Sequence, residues 1–493
     1  MHYPWWYVPA ITSPMLIAII AVLHVLVAHY AVGGGFFLAV ETAYAYKTND
    51  REYLAYLRKH AQFFILLTVV FGAITGVGIW WTIGLASPLA TELLIRTFVF
   101  GWATEWVFFV LEITSAFIFF YWWGHLRPKT HIAMGWIYAW AAWISLVLIT
   151  GITAFMLHPG DWLEKRTFWS GFLNPQFIPQ TLARTGGAFL LSSLYVYLHA
   201  SICASSQRLH DLVEQRSTRP ALLGAVLIVA GGVGWYINLP QSAREALFAA
   251  SALNIFVGLI FVSTGAVFVL LLLGPLRKPG WIRSPGFAAA LLAFGVIAFA
   301  TGEFIREAIR KPYVVYNVVF GNQIYAEQAE LDRLRTDGYL EGGVWTRHYV
   351  RAHYPQVIVG GKQEDGRLVG GKIDRQRLLA LPQPDRQKLG AVIFMYHCND
   401  CHALGQGYSA AGPLMQGWSR PMVREMIDQL HTVRFVMPPW CGTPEEAELL
   451  ADFLMSIAPP RPAGMQPEPI MQEPIVQPAE QQTRSSSTGG GAK

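Results

Sequence analysis

A mostly α fold is predicted, a polytopic membrane helix bundle followed by a small C-terminal all-α domain, and three observations predict it. The 493 residues are 53% hydrophobic and only 14% charged, with 18 tryptophans, a balance far from that of a water-soluble protein. Eight apolar segments are each long enough to cover a bilayer core. Past about residue 315 the chain turns polar and mixed, and a closely spaced cysteine pair lies there.

The eight segments lie at 12–46, 61–86, 97–124, 132–157, 181–203, 220–239, 247–274 and 285–303. Basic residues follow the odd-numbered ones: Lys47, Arg51, Arg58 and Lys59, then Arg127 and Lys129, then Arg208, Arg216 and Arg219, then Arg277, Lys278 and Arg283. Basic loops stay on the cytoplasmic side, so odd spans run inward and an even number of spans returns the chain outward. The N-terminus and everything after about Gly302 are expected on the periplasmic side of a bacterial-type cytoplasmic membrane. The long first span has no basic leader and is expected to be an insertion signal, not a cleaved peptide. These loops account for the net charge of +5, so the lipid bilayer is an expected partner and nucleic acid is not.

The expected division is a bundle at 1–315, an extracytoplasmic connector at 316–387, a helical domain at 388–457 and a disordered Pro/Gln/Ser/Gly-rich tail at 458–493. The connector holds turn-rich runs, Val359-Gly-Gly-Lys-Gln363 and Leu368-Val-Gly-Gly-Lys372, and reads as some helix and some hairpin. Gly33-Gly-Gly35 lies inside the first span, where glycine suits close helix packing or a cofactor pressed on the backbone.

Chemistry enters at Cys398-Asn-Asp-Cys401-His402. Two thiols at this spacing can form thioethers with haem vinyl groups while the next histidine gives the iron an axial nitrogen. A redox dithiol or half of a zinc site is the alternative. A second axial ligand must return across the haem, and Met437, held in Arg434-Phe-Val-Met-Pro-Pro-Trp440 before an amphipathic helix from Pro444, is the candidate; a core methionine is its alternative. Residues 388–457 resemble a small class I cytochrome c, with Gly412-Pro413 fitting the turn after the haem-binding helix. The resemblance implies one covalent haem c with His402 and Met437 as axial pair.

Polar groups at membrane depth need a partner or a cavity. His24 lies about 15 Å along the first span if that begins near Pro14, and a neutral imidazole there suits a haem; a helix-to-helix hydrogen bond is the alternative. His29 is offset and points elsewhere. Glu105 and Glu112, seven residues apart, share a helix face and could carry protons between levels. In Thr301-Gly-Glu-Phe-Ile-Arg-Glu-Ala-Ile-Arg-Lys-Pro-Tyr313, Glu303 and Glu307 share one face and Arg306 and Arg310 another, suggesting carboxylates beside iron and guanidinium groups beside haem propionates. An interfacial salt-bridge network is the alternative.

Residues 10–315 resemble subunit I of the cytochrome bd oxygen reductases. The resemblance rests on Ala21-Val-Leu-His24 with Val32 to Glu41, Phe71-Gly-Ala-Ile-Thr-Gly-Val-Gly78, Glu105 through Leu111-Glu112 with Phe117 to Tyr121, and Glu307-Ala-Ile-Arg-Lys-Pro-Tyr313. It implies His24 as ligand of the oxygen-binding haem, Glu105 near that haem, Glu112 as a proton-linked acid, and Glu307 as ligand of a neighbouring high-spin haem. Two or more non-covalent haems of b or d type follow. The family's low-spin haem, which takes electrons from quinol, aligns its ligands with Arg184 and Phe256, which cannot serve. The quinol loop is also reduced to a few residues around Pro240 and Ala246. His158, at the outer end of the fourth span, is the best placed spare histidine for a rebuilt low-spin centre; His60, His125, His131 and His199 lie toward the inner side.

The leading expectation is an oxidoreductase in which a periplasmic electron carrier or cytochrome c reduces haem c, which passes electrons to the membrane haems, where oxygen or another small diatomic molecule is reduced. The reverse reading oxidises a bound quinone's reduced form and exports electrons through haem c. A third makes the chain a non-catalytic electron-transfer subunit of a larger respiratory complex. An accessory membrane subunit is expected.

Overall fold

In the computed structural model the described residues are 6–249, 251–278, 280–364 and 367–460. Most of the expected tail, from 461 onward, lies outside them. Among the described residues eight helices are long and apolar enough to cross a membrane: α1 Ser13–Lys47, α2 Arg51–Ala86, α3 Val99–Tyr121, α4 Pro128–Phe155, α5 Phe177–Cys203, α6 Gln207–Ile237, α7 Leu253–Leu273 and α8 Pro285–Ala308. The chain is therefore a mostly helical, multi-pass membrane bundle. Two helices start earlier than the apolar runs suggest. The chain of α2 is helical from Arg51 because Asp50 caps it, accepting from the Tyr53 amide at 3.0 Å. Helix α6 starts at Gln207, capped by Ser206, and carries Pro220 within it. Both extra stretches are polar on one face and project beyond the apolar runs.

Helix α5 is the axis of the bundle: most of its length is buried, and α1, α4, α6 and α8 pack around it. Small residues set the spacing. A Cβ on Gly186 would stand 2.5 Å from the Gly224 carbonyl oxygen of α6, and one on Gly33 would collide with the Ala188 carbonyl of α5. The three-glycine run thus serves helix packing.

After α8 the chain forms a short β1–β2 pair, Tyr313–Val315 with Val319–Phe320, then helices α9 Gln328–Gly342 and α10 Val344–His353. Strands β3 Ile358–Glu364 and β4 Arg367–Ile373 pair antiparallel, Ile358 with Ile373 and Gly361 with Gly370. The glycine-rich runs thus lie within paired strands instead of forming the turn, and Gly360, Gly370 and Gly371 adopt the positive φ that bends them.

Helix α11 Gln383–His397 crosses α12 Pro444–Ile457, with Gly390 against the Leu449 backbone and Phe394 packed 5.7 Å from Phe453. A Thr443/Glu446 capping box starts α12, and Glu446 also accepts from the Tyr339 and Leu340 amides at 2.8 and 2.7 Å, tying α9 to it. One hydrophobic core runs from Phe320 to Leu454 and joins the expected connector to the expected 388–457 domain.

This C-terminal unit sits on the end of the bundle where α1 begins and α8 ends, the capped end. Lys311 Nζ reaches Asp400 Oδ2 at 3.1 Å, and the Trp6 carbonyl accepts from Asn399 Nδ2 at 3.4 Å. Ala10 bridges to Gly407, where φ is +107° and a Cβ would strike the Ala10 backbone, so glycine is required there. At the opposite, open end the helix starts are tied by ion pairs, Arg208 with Asp50 at 2.9 Å and Arg283 with Asp211 at 2.7 Å.

Candidate functional site

Helix α11 ends at His397, so Cys398 to His402 fold back as a tight loop at the junction of the two units. A cavity of ≈ 290 Å³ opens there, lined by Cys398, Cys401, His402 and Met437 from the C-terminal unit and by Glu307 and Lys311 from the end of the bundle. Residues about 90 to 130 positions apart are brought together there by the turn after α8 and the loop after α11.

The donor set is ordered for ligation. His402 Nδ1 lies 2.8 Å from the Ser409 carbonyl. A carbonyl only accepts, so Nδ1 carries the proton and Nε2 keeps its lone pair, the tautomer that binds a metal. Burial pushes this imidazole below its ordinary range, toward the neutral form. His431 Nδ1 donates in the same way to the Met437 carbonyl at 2.8 Å and fixes the Met-Pro-Pro loop. Burial pushes the Cys398 thiol up to about 12 and the Cys401 thiol up to about 11, opposite to the lowered values of redox dithiols. Among the described residues no three His, Cys, Asp or Glu side chains converge. The residues present fit a covalently held haem.

On the bundle side, Glu307 is ion-paired with Arg310 and Glu303 with Arg306, the latter at 2.8 Å. Acids and arginines expected on separate faces are thus bonded within one turn, three residues apart. Arg310 is only 3% exposed, donates to the Val314 carbonyl at 2.5 Å, and its Nε has no partner among the described residues. Lys311 lies among Glu307, Asp400 and Cys401; burial opposes its charge, but Asp400 first and then its other acidic neighbours hold the ammonium above its ordinary range.

His24 lies one to two turns further into α1 than Ala18, which lines the cavity. Thr75 donates its hydroxyl to the Phe71 carbonyl at 2.8 Å, so it accepts from His24 Nδ1 at 3.1 Å and leaves His24 Nε2 free. A Cβ at Gly76 would stand 3.1 Å from the same ring. His29, which the sequence pattern set aside, has the same tautomer: Nδ1 bonds the Val25 carbonyl at 2.8 Å, and the buried Nε2 has no partner among the described residues. Its offset of five residues hid this, because only the packing of α5 and α8 decides what it faces: Gly187 and Phe299.

Glu105 accepts from Ser145 at 2.8 Å and Glu112 from Tyr138 at 3.2 Å, so both acids face α4. Arg184 donates to Thr150 and Thr153, each at 3.1 Å, and Phe256 stacks near Phe304. His158 accepts from the Gly160 amide at 3.1 Å and stacks near Tyr316, away from the residues above. Both nitrogens of His131 are engaged, with Tyr46 at 3.0 Å and the Phe119 carbonyl at 2.9 Å.

No curated protein matches this chain. A family model described as cytochrome bd terminal oxidase subunit I matches residues 13–235. A solved structure, the bd oxidase from Geobacillus thermodenitrificans, is similar at 16% identity with a TM-score of 0.53, over 61% of this chain and 87% of that one. The N-terminal region of this chain accordingly resembles the fold of cytochrome bd oxidase subunit I.

Proposed function

We propose that this chain is a respiratory membrane oxidoreductase subunit that takes electrons from a periplasmic carrier at its C-terminal unit and delivers them, through the junction, to the bundle, where oxygen or another small diatomic molecule is reduced. The observation that carries this is the single cavity lined at once by Cys398, Cys401, His402, Met437 and Glu307. A haem c bound to Cys398 and Cys401 and held by His402 and Met437, together with b- or d-type haems held by Glu307 and His24, would supply the one-electron chemistry.

The chain's own residues do the rest. Lys311 and Asp400 clamp the cysteine loop over the end of α8 and keep the route short. Glu307, ion-paired with Arg310, would hold one of these haems, and the Arg310 guanidinium would supply positive charge beside it. Glu112 with Tyr138 and Glu105 with Ser145 hold protons that the reduction consumes. Arg184 and Phe256 in place of low-spin ligands favour inward flow from the C-terminal unit over quinol oxidation. Basic residues gathered at the open end support a cytoplasmic location for it. Apolar side chains exposed on α3, such as Trp106 and Val107, are available to an accessory membrane subunit as well as to lipid.

The test is oxygen consumption by purified protein given reduced cytochrome c or a short-chain quinol. Turnover with cytochrome c alone supports the reading; turnover with quinol alone, or haem c that stays oxidised with both, overturns it. Glu112→Gln is expected to slow turnover by about 10²-fold while haem c remains reducible.

A further inference from the structure

We propose that the open half of the bundle holds a proton-access route to Glu112 built from Glu41, Tyr53, Tyr56, His199, His60 and Tyr30. The proposal rests on the reading above, because it supplies protons to that chemistry. All six are buried: Glu41, Tyr30 and His199 lie in apolar membrane runs, where titratable groups mark ion and proton paths, and Tyr53, Tyr56 and His60 lie in the stretch of α2 that leads into them from the open end.

The residues form three hydrogen-bonded pairs, Glu41 with Tyr53, Tyr56 with His199 and His60 with Tyr30, joined by two ring contacts. Tyr53 donates to Glu41 at 2.9 Å, and Arg216, resting 3.7 Å over the Tyr44 ring, pairs with the same carboxylate near the open end. Tyr53 stacks 6.2 Å from Tyr56, whose hydroxyl is 3.3 Å from His199 Nδ1. The His199 ring meets His60 edge-on at 4.7 Å, and His60 Nε2 is 3.1 Å from the Tyr30 hydroxyl. His60 Nδ1 is buried without a partner among the described residues, the vacancy a hop from His199 requires. From Glu41 to Tyr30 the path climbs about 16 Å along α1. There Tyr138 touches the Ala31 carbonyl at 3.3 Å while bonding Glu112 at 3.2 Å, so the route ends level with the acid. Phe64 stands between, 5.3 Å from Tyr30 and 5.5 Å from Tyr138, and its ring must swing for the last transfer.

Each imidazole takes a proton on one nitrogen and releases one from the other, each hydroxyl does likewise, and no electron moves. The other titratable groups facing the path are Arg216 beside Glu41, Cys203 beside Tyr56, Lys59 near His199 and Tyr195 stacked 4.5 Å from Tyr30.

The test uses the full chain in sealed vesicles with the pH stepped on one side, following the Glu112 carboxyl stretch by infrared spectroscopy, with Glu112→Gln identifying the band. The band should follow a step on the open side and not on the capped side. Tyr30→Phe and His60→Leu should each slow it by about 10²-fold, while Phe37→Leu, which alters packing 5.2 Å from His60, should not. A band that follows the capped side, unslowed polar variants, or equal slowing by Phe37→Leu overturns the route. The measurement needs no turnover, so absent haem bands would refute the functional reading separately.

Discussion

The two ends of the bundle solve the same problem differently. At the capped end Glu303, Arg306, Glu307, Lys311 and Asp400 are half-buried and Arg310 buried as charges, each answered by an opposite one. In the open half Glu41 and Arg216 make one such pair at the end, and beyond it Tyr30, Tyr56, His60, His199 and Tyr138 are buried in hydrogen bonds that need no formal charge. Burying full charges costs several kcal/mol per ion and suits a place where charged groups must be held still beside a protein junction. Neutral chains cost less and leave protons free to move. The difference teaches where each half can be perturbed.

The largest effect is expected at the junction. Cys398→Ala with Cys401→Ala should abolish all covalently bound haem, read as loss of haem-staining after denaturing electrophoresis, while α1 to α8 still insert. Next, Glu307→Leu should destabilise the capped end by about 3–5 kcal/mol because Arg310 is left buried and unpaired; denaturant unfolding in detergent measures it, and an effect below about 1 kcal/mol would erase the contrast between the ends. Acid should act third. Burial holds His397 at about 4, and its Nδ1 accepts from Tyr339 at 2.7 Å. A depressed folded value means stability present above the unfolded value near 6.5 and lost as pH falls through about 4. That window costs the C-terminal unit about 3 kcal/mol, removed in His397→Phe and visible in its melting curve. The smallest effect is expected in the open half: Tyr30→Phe should cost about 1 kcal/mol by the same unfolding measurement, since only one neutral hydrogen bond is lost.

The eight crossings were legible because twenty apolar residues in a row admit few structures in lipid. Their ends were less so: Asp50 and Ser206 cap helices that continue beyond the apolar stretch, a local effect invisible to hydropathy. In the C-terminal unit, the glycine runs at 359–363 and 368–372 signalled turns, yet pairing across the hairpin made them strands. His60 and His199, 139 positions apart in sequence, carried no sign of each other, since contact between α2 and α5 is set by helix packing.

The sequence by itself determined that the chain is a helical membrane bundle, that Cys398, Cys401 and His402 share one short motif, and that Glu105 and Glu112 share a helix face, because composition, spacing and helical period are local properties. Only the tertiary structure decided that Glu307 pairs with Arg310, that the cysteine loop lies over the end of α8, and that tyrosines and histidines from three helices line up toward Glu112. Those outcomes depend on which faces meet once apolar surfaces pack and each buried polar group finds its partner.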